Sequence, residues 1–201
     1  VIGAGVAGMT AALSMANQGF KVYLIEKEKE PGGITRMLHR LYPTLAESTE
    51  VVDPLTKAVK SHENIELMTS TTLKDISGYV GNFKAVLTAP KGEKEVDVGT
   101  IIVASGSSDY TPPAGLYQYG VYDHIITQRE LDEKLRKKEI GQPERIVMIQ
   151  CVGSRKGEIR PSELEAFPKS DTAKLLRKIL KARKEEGWPY CSRICCMNAI
   201  K

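Results

Sequence analysis

Val1-Ile2-Gly3-Ala4-Gly5-Val6-Ala7-Gly8 is the stretch that decides the fold. Its glycines fall in a G-x-G-x-x-G pattern directly after a short β-like run. The pattern beyond predicts a helix through Thr10 and Leu13 to Asn17, closed by Gly19. Lys21 to Ile25 then reads as a second strand, ending in Glu26 with Lys27 beside it. In such a unit Gly3 permits the tight turn, Gly5 lets backbone approach a diphosphate, and Gly8 lets helix and strand pack closely. The helix start, with Val6 and Ala7, offers N–H donors and the positive end of the helix dipole to phosphate oxygens. Glu26 stands 23 residues after Gly3, the spacing that places a carboxylate for ribose hydroxyls. A lone G-x-G-x-x-G also fits a ligand-free glycine turn. With strand, helix and acid in this order it specifies a dinucleotide-binding unit.

Immediately after Glu26 comes KEKEPGG, with Gly32 and Gly33 paired. That doublet resembles the second half of the fingerprint of flavoproteins with two dinucleotide-binding domains, which implies FAD rather than NAD. Asp53-Pro54 reads as an N-cap followed by proline at the first helical position, opening a helix to about Glu63. Ile65 to Met68 gives a third parallel strand. Residues 71–98 alternate and are broken by Gly78, Gly81, Pro90 and Gly92, which predicts a small antiparallel meander. Thr100 to Ala104, followed by Ser105 and Gly106, resembles the return strand by which the same flavoproteins rejoin the parallel sheet beside the FAD. The expected class is α/β: a Rossmann-like FAD-binding domain over residues 1–141, then the start of a second Rossmann-like unit over 142–201.

Composition sets the outer bounds. The chain has 201 residues, 41% hydrophobic and 27% charged, enough for a real core. No run approaches the roughly 18 apolar residues of a membrane span, and no signal peptide opens it. It starts on a strand without Met and stops within an expected helix, which reads as a piece of a longer polypeptide. The net charge of +4 is mild and partly concentrated between Lys174 and Lys184, so no nucleic-acid partner is implied. That basic face fits simple solvation or an acidic partner.

The back half departs from a second nucleotide loop. Thr127 and Glu130 form a capping box for a helix to about Lys138. Arg145 to Gln150 then reads as a buried parallel strand, after which a second G-x-G-x-x-G is due. The chain gives Cys151-Val152-Gly153-Ser154-Arg155 instead. A polar insertion follows, then an amphipathic helix from about Ser170 to Glu186, whose Leu175, Leu176, Ile179 and Leu180 stripe reads as ordinary packing, with a partner groove as the alternative. The end, YCSRICCMNAIK, reads as the helix that would follow a phosphate loop. All four cysteines, Cys151, Cys191, Cys195 and Cys196, thus occupy the place of the second loop. Four thiolates at a strand end and a helix start suit a [4Fe-4S] cluster, with Arg155 and Arg193 offsetting its charge. A structural zinc, a redox dithiol and buried free thiols are the alternatives. Clustered cysteines without a secretory signal point to a reducing compartment.

Taken together, VIGAGVAGM, IEKE-x-x-GG, NIEL, SGYVGNFK, IQCVGSR and PYCSRICCMNAIK resemble the A subunit of heterodisulfide reductase and its relatives. The resemblance covers nearly the whole chain. It implies a cytoplasmic oxidoreductase component of anaerobic metabolism that carries FAD and iron–sulfur. Such a component passes electrons among ferredoxin- or hydrogenase-type carriers and the other subunits of its complex. Unlike many members, this chain has no cysteine between Ile34 and Lys60, closes the meander at Ala89-Pro90-Lys91-Gly92, and has a long interval between Cys151 and Cys191. The alternatives to this function are an NAD(P)H-dependent flavin disulfide reductase and a non-catalytic FAD-domain module holding structural zinc.

Overall fold

A computed structural model describes residues 1–152, which fall into two compact units divided after Ser108. In the first unit, helix α1 (Val6–Asn17) leads to strand β1 (Val22–Ile25). A short helix α2 (Gly33–Met37) and a longer helix α3 (Ser48–Ser61) follow, then strand β2 (Ile65–Met68). Strands β3 (Thr72–Tyr79), β4 (Asn82–Ala89) and β5 (Gly92–Val98) complete the run. The expected helix end holds, with Gln18 as C-cap and Gly19 just past it at φ +89°.

Four extended segments lie side by side in the order 101–104, 1–4, β1, β2, all parallel. Ile2 bridges both Val103 and Ile25, and β1 pairs β2 from Val22 opposite Ile65 to Ile25 opposite Met68. The first segment sits centrally because both edges are used: Ile2 N–H donates to Ile102 O and Gly3 N–H to Ile25 O, each at 2.8 Å. The return segment is therefore where the resemblance puts it, although only Val103 forms a ladder bridge.

One face of this layer is covered by helices, the other by the meander. Met9, Ala12 and Ala16 of α1 are buried against Val22 and Leu24 of β1 and against Val52 and Val59 of α3. The small α1 residues let the helix lie close to the sheet, and each large apolar side chain buried there contributes about 1.5–3 kcal/mol. On the other face Ala85, Leu87 and Val96 of the meander close over Ile25. The meander itself is as expected, β3-β4-β5 antiparallel, with Ala89 opposite Gly92 across a Pro90-Lys91 turn. Gly78 lies within β3 rather than in a turn.

A polar contact also joins meander and layer. Lys94 of β5 donates to Glu66 of β2, and Lys21 pairs with the same carboxylate at 3.7 Å, while both ammonium groups sit near the Tyr23 ring. The Lys94 hydrogen bond holds Glu66 below the usual carboxylate range, against an opposing effect of desolvation. A carboxyl with a depressed folded pKa adds stability above its unfolded value and loses it as pH falls through the folded one. Wild type should therefore melt slightly above Glu66→Gln at neutral pH, the gap closing as the pH drops well below 4.5. A gap that persisted at low pH would show that the carboxylate charge is not what stabilises the contact.

One helix start differs from expectation. Helix α3 begins at Ser48, not at Pro54, because Glu47 and Glu50 form a reciprocal capping box. Glutamate is not a favoured N-cap residue, so the signal was hidden, and Asp53-Pro54 mimicked a start. Pro54 sits inside the helix, where it lacks the N–H that would bond Glu50 O. Burial of Val52 and Val59 on either side holds the helix through that gap.

The second unit, taken by itself from Asp109, holds a 3-10 turn (Leu116–Gln118) and helix α4 (Gln128–Lys137). The Thr127–Glu130 capping box forms as read, and the Thr127 N–H is the main influence holding the Glu130 carboxyl low. Arg129 ties α4 back to Asp109 at 2.6–2.7 Å. Residues 145–150 correct an expectation: they form no strand, and Ile146 to Ile149 are exposed. A continuously apolar run suits a parallel strand covered on both faces, and no described segment pairs with it.

Candidate dinucleotide site

The glycine loop is shaped by collisions that side chains would cause. A Cβ at Gly8 would lie 1.8 Å from Gly3 O, and one at Gly3 would lie 2.4 Å from Ala104 O. Gly3 also adopts φ +96°, a region that L side chains avoid. These two glycines let α1, the loop and the return segment touch. Gly5 is different, because a Cβ there would meet nothing within 4 Å. The open side of the loop is therefore at Gly5, which is also the N-cap of α1 and makes no side-chain cap bond. No acidic residue occupies the first turn. The leading N–H groups of α1, those of Val6, Ala7 and Gly8 among them, have no intrahelical acceptor and carry the positive end of the dipole.

The second glycine pair sits directly against the first loop. Gly32 N–H donates to Ala4 O at 2.7 Å, and Gly5 and Gly32 form a parallel bridge. Gly32 turns at φ +126°, and a Cβ there would press on Val52 and Arg36 at 2.7–2.9 Å. A Cβ at Gly33 would lie 3.2 Å from Gly5 Cα. Arg36 fixes this turn, donating from Nε to Pro31 O at 2.7 Å and reaching Thr56 Oγ1 at 3.4 Å. Sequence reasoning missed Arg36, since nothing in its spacing marks it as a pin.

Glu26 does more than its spacing suggests. It is buried at the end of β1; Oε2 accepts from Ala4 N–H at 2.7 Å and Oε1 from Glu28 N–H at 3.0 Å. The carboxylate thus ties the glycine loop to the next strand, and each oxygen keeps a second lone pair for a hydroxyl. Lys27 is exposed and pairs with Glu28 at 3.8 Å. Ala104 lies under the loop, bonded through its N–H to Ile2 O at 2.8 Å, and Ser105 and the φ +68° Gly106 lead away from it.

Gly3, Gly5, Gly8, Glu26, Gly32, Gly33 and Ala104 thus converge at the ends of the parallel segments. A profile of pyridine nucleotide-disulphide oxidoreductases matches residues 1–149. The chain belongs to that family. As in an FAD-binding Rossmann-like fold, the pyridine nucleotide-disulphide oxidoreductase chain combines a parallel layer with an antiparallel sheet.

Within the family, the chain is similar to the A subunits of heterodisulfide reductases. That of the H(2):CoB-CoM heterodisulfide,ferredoxin reductase of Methanothermobacter marburgensis is 28% identical over 289 residues, covering 100% of this chain and 40% of that protein. The first of two iron-sulfur A subunits of the CoB–CoM heterodisulfide reductase of Methanopyrus kandleri is also 28% identical, with the same coverage. A protein of Archaeoglobus profundus that is itself heterodisulfide reductase-like is 39% identical over 113 residues, 56% of this chain and 16% of its own. The chain spans 40% of the length of each of the two subunits named first, both of which it matches end to end. Those alignments are longer than the chain, so the relatives carry segments that it lacks.

The cysteine site falls largely elsewhere. Cys191, Cys195 and Cys196 lie outside the described residues. Cys151 is half-buried at φ +65°, a left-handed conformation unusual for a side-chain-bearing residue. Among the described residues no group of three His, Cys, Asp or Glu is placed to hold a metal, and no helix is long and apolar enough to cross a membrane.

Proposed function

We propose that the chain is the FAD-binding part of an electron-transfer flavoprotein in a heterodisulfide reductase-like complex. The observation that carries this reading is the open face at Gly5, framed by Gly32 and Gly33, with Glu26 at one side and Ala104 beneath. The diphosphate of FAD would lie against Gly5 and the first-turn N–H groups of α1, and an adenosine ribose against Glu26. Ser105 and Gly106 would flank the flavin side. Bound flavin supplies the redox chemistry; the chain's residues hold and orient it and exclude water at the loop. The FAD-binding part would reach to about residue 141, and a second Rossmann-like unit would begin at 142.

The same reading assigns Cys151, Cys191, Cys195 and Cys196 to one [4Fe-4S] cluster, which would exchange single electrons with the flavin. Two things support it: the names of the relatives, one of which is an iron-sulfur protein, and the left-handed Cys151, which occupies the position where a second glycine loop would begin. The partners would be the other subunits of such a complex and ferredoxin- or hydrogenase-type carriers, in the cytoplasm of an anaerobe. The test is anaerobic purification with visible spectroscopy and analysis of iron and acid-labile sulfide. Cys196→Ser should lose most of the iron and the broad charge-transfer absorption while flavin content stays level. Protein that carries zinc, or no metal and no sulfide, would sink the cluster assignment and leave the flavin assignment standing.

A further inference from the structure

The dinucleotide cradle leaves one edge of the parallel layer unused. In the β1–β2 pair Val22 N–H donates to Asn64 O at 2.8 Å and Glu26 N–H to Met68 O at 2.9 Å. The even-numbered residues of β2 therefore turn their backbone groups toward β1. Strand alternation aims the N–H and C=O of Leu67, the C=O of Ile65 and the N–H of Thr69 the opposite way. No described strand pairs with that side. An open strand edge of this kind is a template for another chain, and charge beside it rejects every segment but one of opposite sign.

Beside the edge runs a groove of about 370 Å³, in which Ile65 and Leu67 are half-buried while Pro31 and Val59 beneath them are fully buried. It continues past Pro31 and Lys60 into a second groove of about 510 Å³ that reaches Lys57. Lys29, Lys57 and Lys60 are exposed on the rim and make no ion pair among the described residues. Glu30 and Asp53 share the single Arg36 guanidinium, at 3.7 and 3.5 Å, so these six side chains together keep a net charge of about +2. The result is a pair of half-buried apolar side chains, a row of backbone hydrogen-bonding groups and a surplus of positive charge in one place.

We propose that the outer edge of β2 docks an acidic extended segment of a partner protein, which adds a strand beside Leu67 and sets its carboxylates against Lys29, Lys57 and Lys60. The backbone row supplies pairing, while alternate side chains of the incoming strand meet Ile65 and Leu67 and the lysine rim. Complementary charge speeds the encounter and rejects basic segments. A second copy of this chain is a poor occupant, since symmetric pairing through β2 would bring the three lysines of each copy together. A free phosphate would use the lysines but none of the edge.

The probe is a fluorescein-labelled ten-residue peptide alternating glutamate and valine, titrated with the full chain in low salt and followed by anisotropy. Saturable binding is expected, weakened roughly tenfold or more by joint Lys29→Glu, Lys57→Glu and Lys60→Glu substitution. A peptide of equal charge with every backbone amide N-methylated should bind correspondingly weakly. That arm uses the unaltered chain, so it stands whatever the folding of the variant. Equal binding of the methylated peptide would reduce the site to a lysine patch and overturn the added strand. Unchanged binding by the triple variant, or none by wild type, would overturn the docking site itself. Neither readout involves flavin, so the outcome is independent of the cradle.

Discussion

Gly8→Ala should lose flavin and stability together, whereas Gly5→Leu should lose flavin alone. At Gly8 the added methyl would stand 1.8 Å from the carbonyl oxygen of Gly3, so relief needs a backbone shift. Gly3 cannot readily retreat, since the space where its own Cβ would lie is filled by Ala104 O. Overpacking against two backbone segments costs about 3 kcal/mol. At this chain length that lowers the melting temperature by roughly 10 °C. At Gly5 the side chain enters open space from an ordinary φ of −72°. Its fold cost is limited to a less favourable N-cap, under about 1 kcal/mol. Its effect on ligand is large because the space it fills is where a diphosphate would lie. Flavin content after purification and thermal unfolding of both variants check the contrast. Full flavin occupancy in Gly5→Leu would remove the cradle from the reading, and wild-type melting of Gly8→Ala would refute the packing account.

Glu26→Ala is expected to act on both properties for a different reason. It leaves the buried Ala4 N–H and the Glu28 N–H without the oxygens that now accept from them at 2.7 and 3.0 Å. An orphaned buried donor costs about 1–3 kcal/mol, more when its lost partner was charged. The melting temperature should fall by roughly 4–10 °C, and flavin retention should drop as the loop loosens. Glu26→Gln keeps one accepting oxygen and should fall between wild type and alanine. If Glu26→Ala melts with the wild type, the carboxylate serves ligand alone and the link to Ala4 is not structural.

What could be read from the sequence follows from how local each requirement is. Gly3, Gly8 and Gly32 stand where a side chain would strike backbone or its neighbours, and that demand maps onto residue identity without knowledge of the rest. The meander was legible for the same reason, since Gly81 and Pro90-Lys91 mark two-residue turns between alternating runs. The second bond of Glu26, to Ala4, was not legible, because it depends on how β1 and the first segment lie together. Helix α3 was misplaced because its cap is the uncommon Glu47, while Asp53-Pro54 imitated a better one. The run 145–150 has the composition of a central strand, but pairing is a long-range property that composition cannot supply.

The turn at Pro90-Lys91 has an evolutionary consequence. The opposite hairpin tip is anchored, Gly81 N–H donating to Gly99 O at 2.9 Å, whereas Pro90 and Lys91 are exposed. Extra chain spliced between them would leave every buried contact of β4 and β5 in place. Its entropic cost grows only logarithmically, about 0.6 kcal/mol per doubling of length. The meander is therefore a grafting joint, through which a lineage could gain or shed a whole module while the glycine loop at the ends of the parallel segments evolves under separate selection.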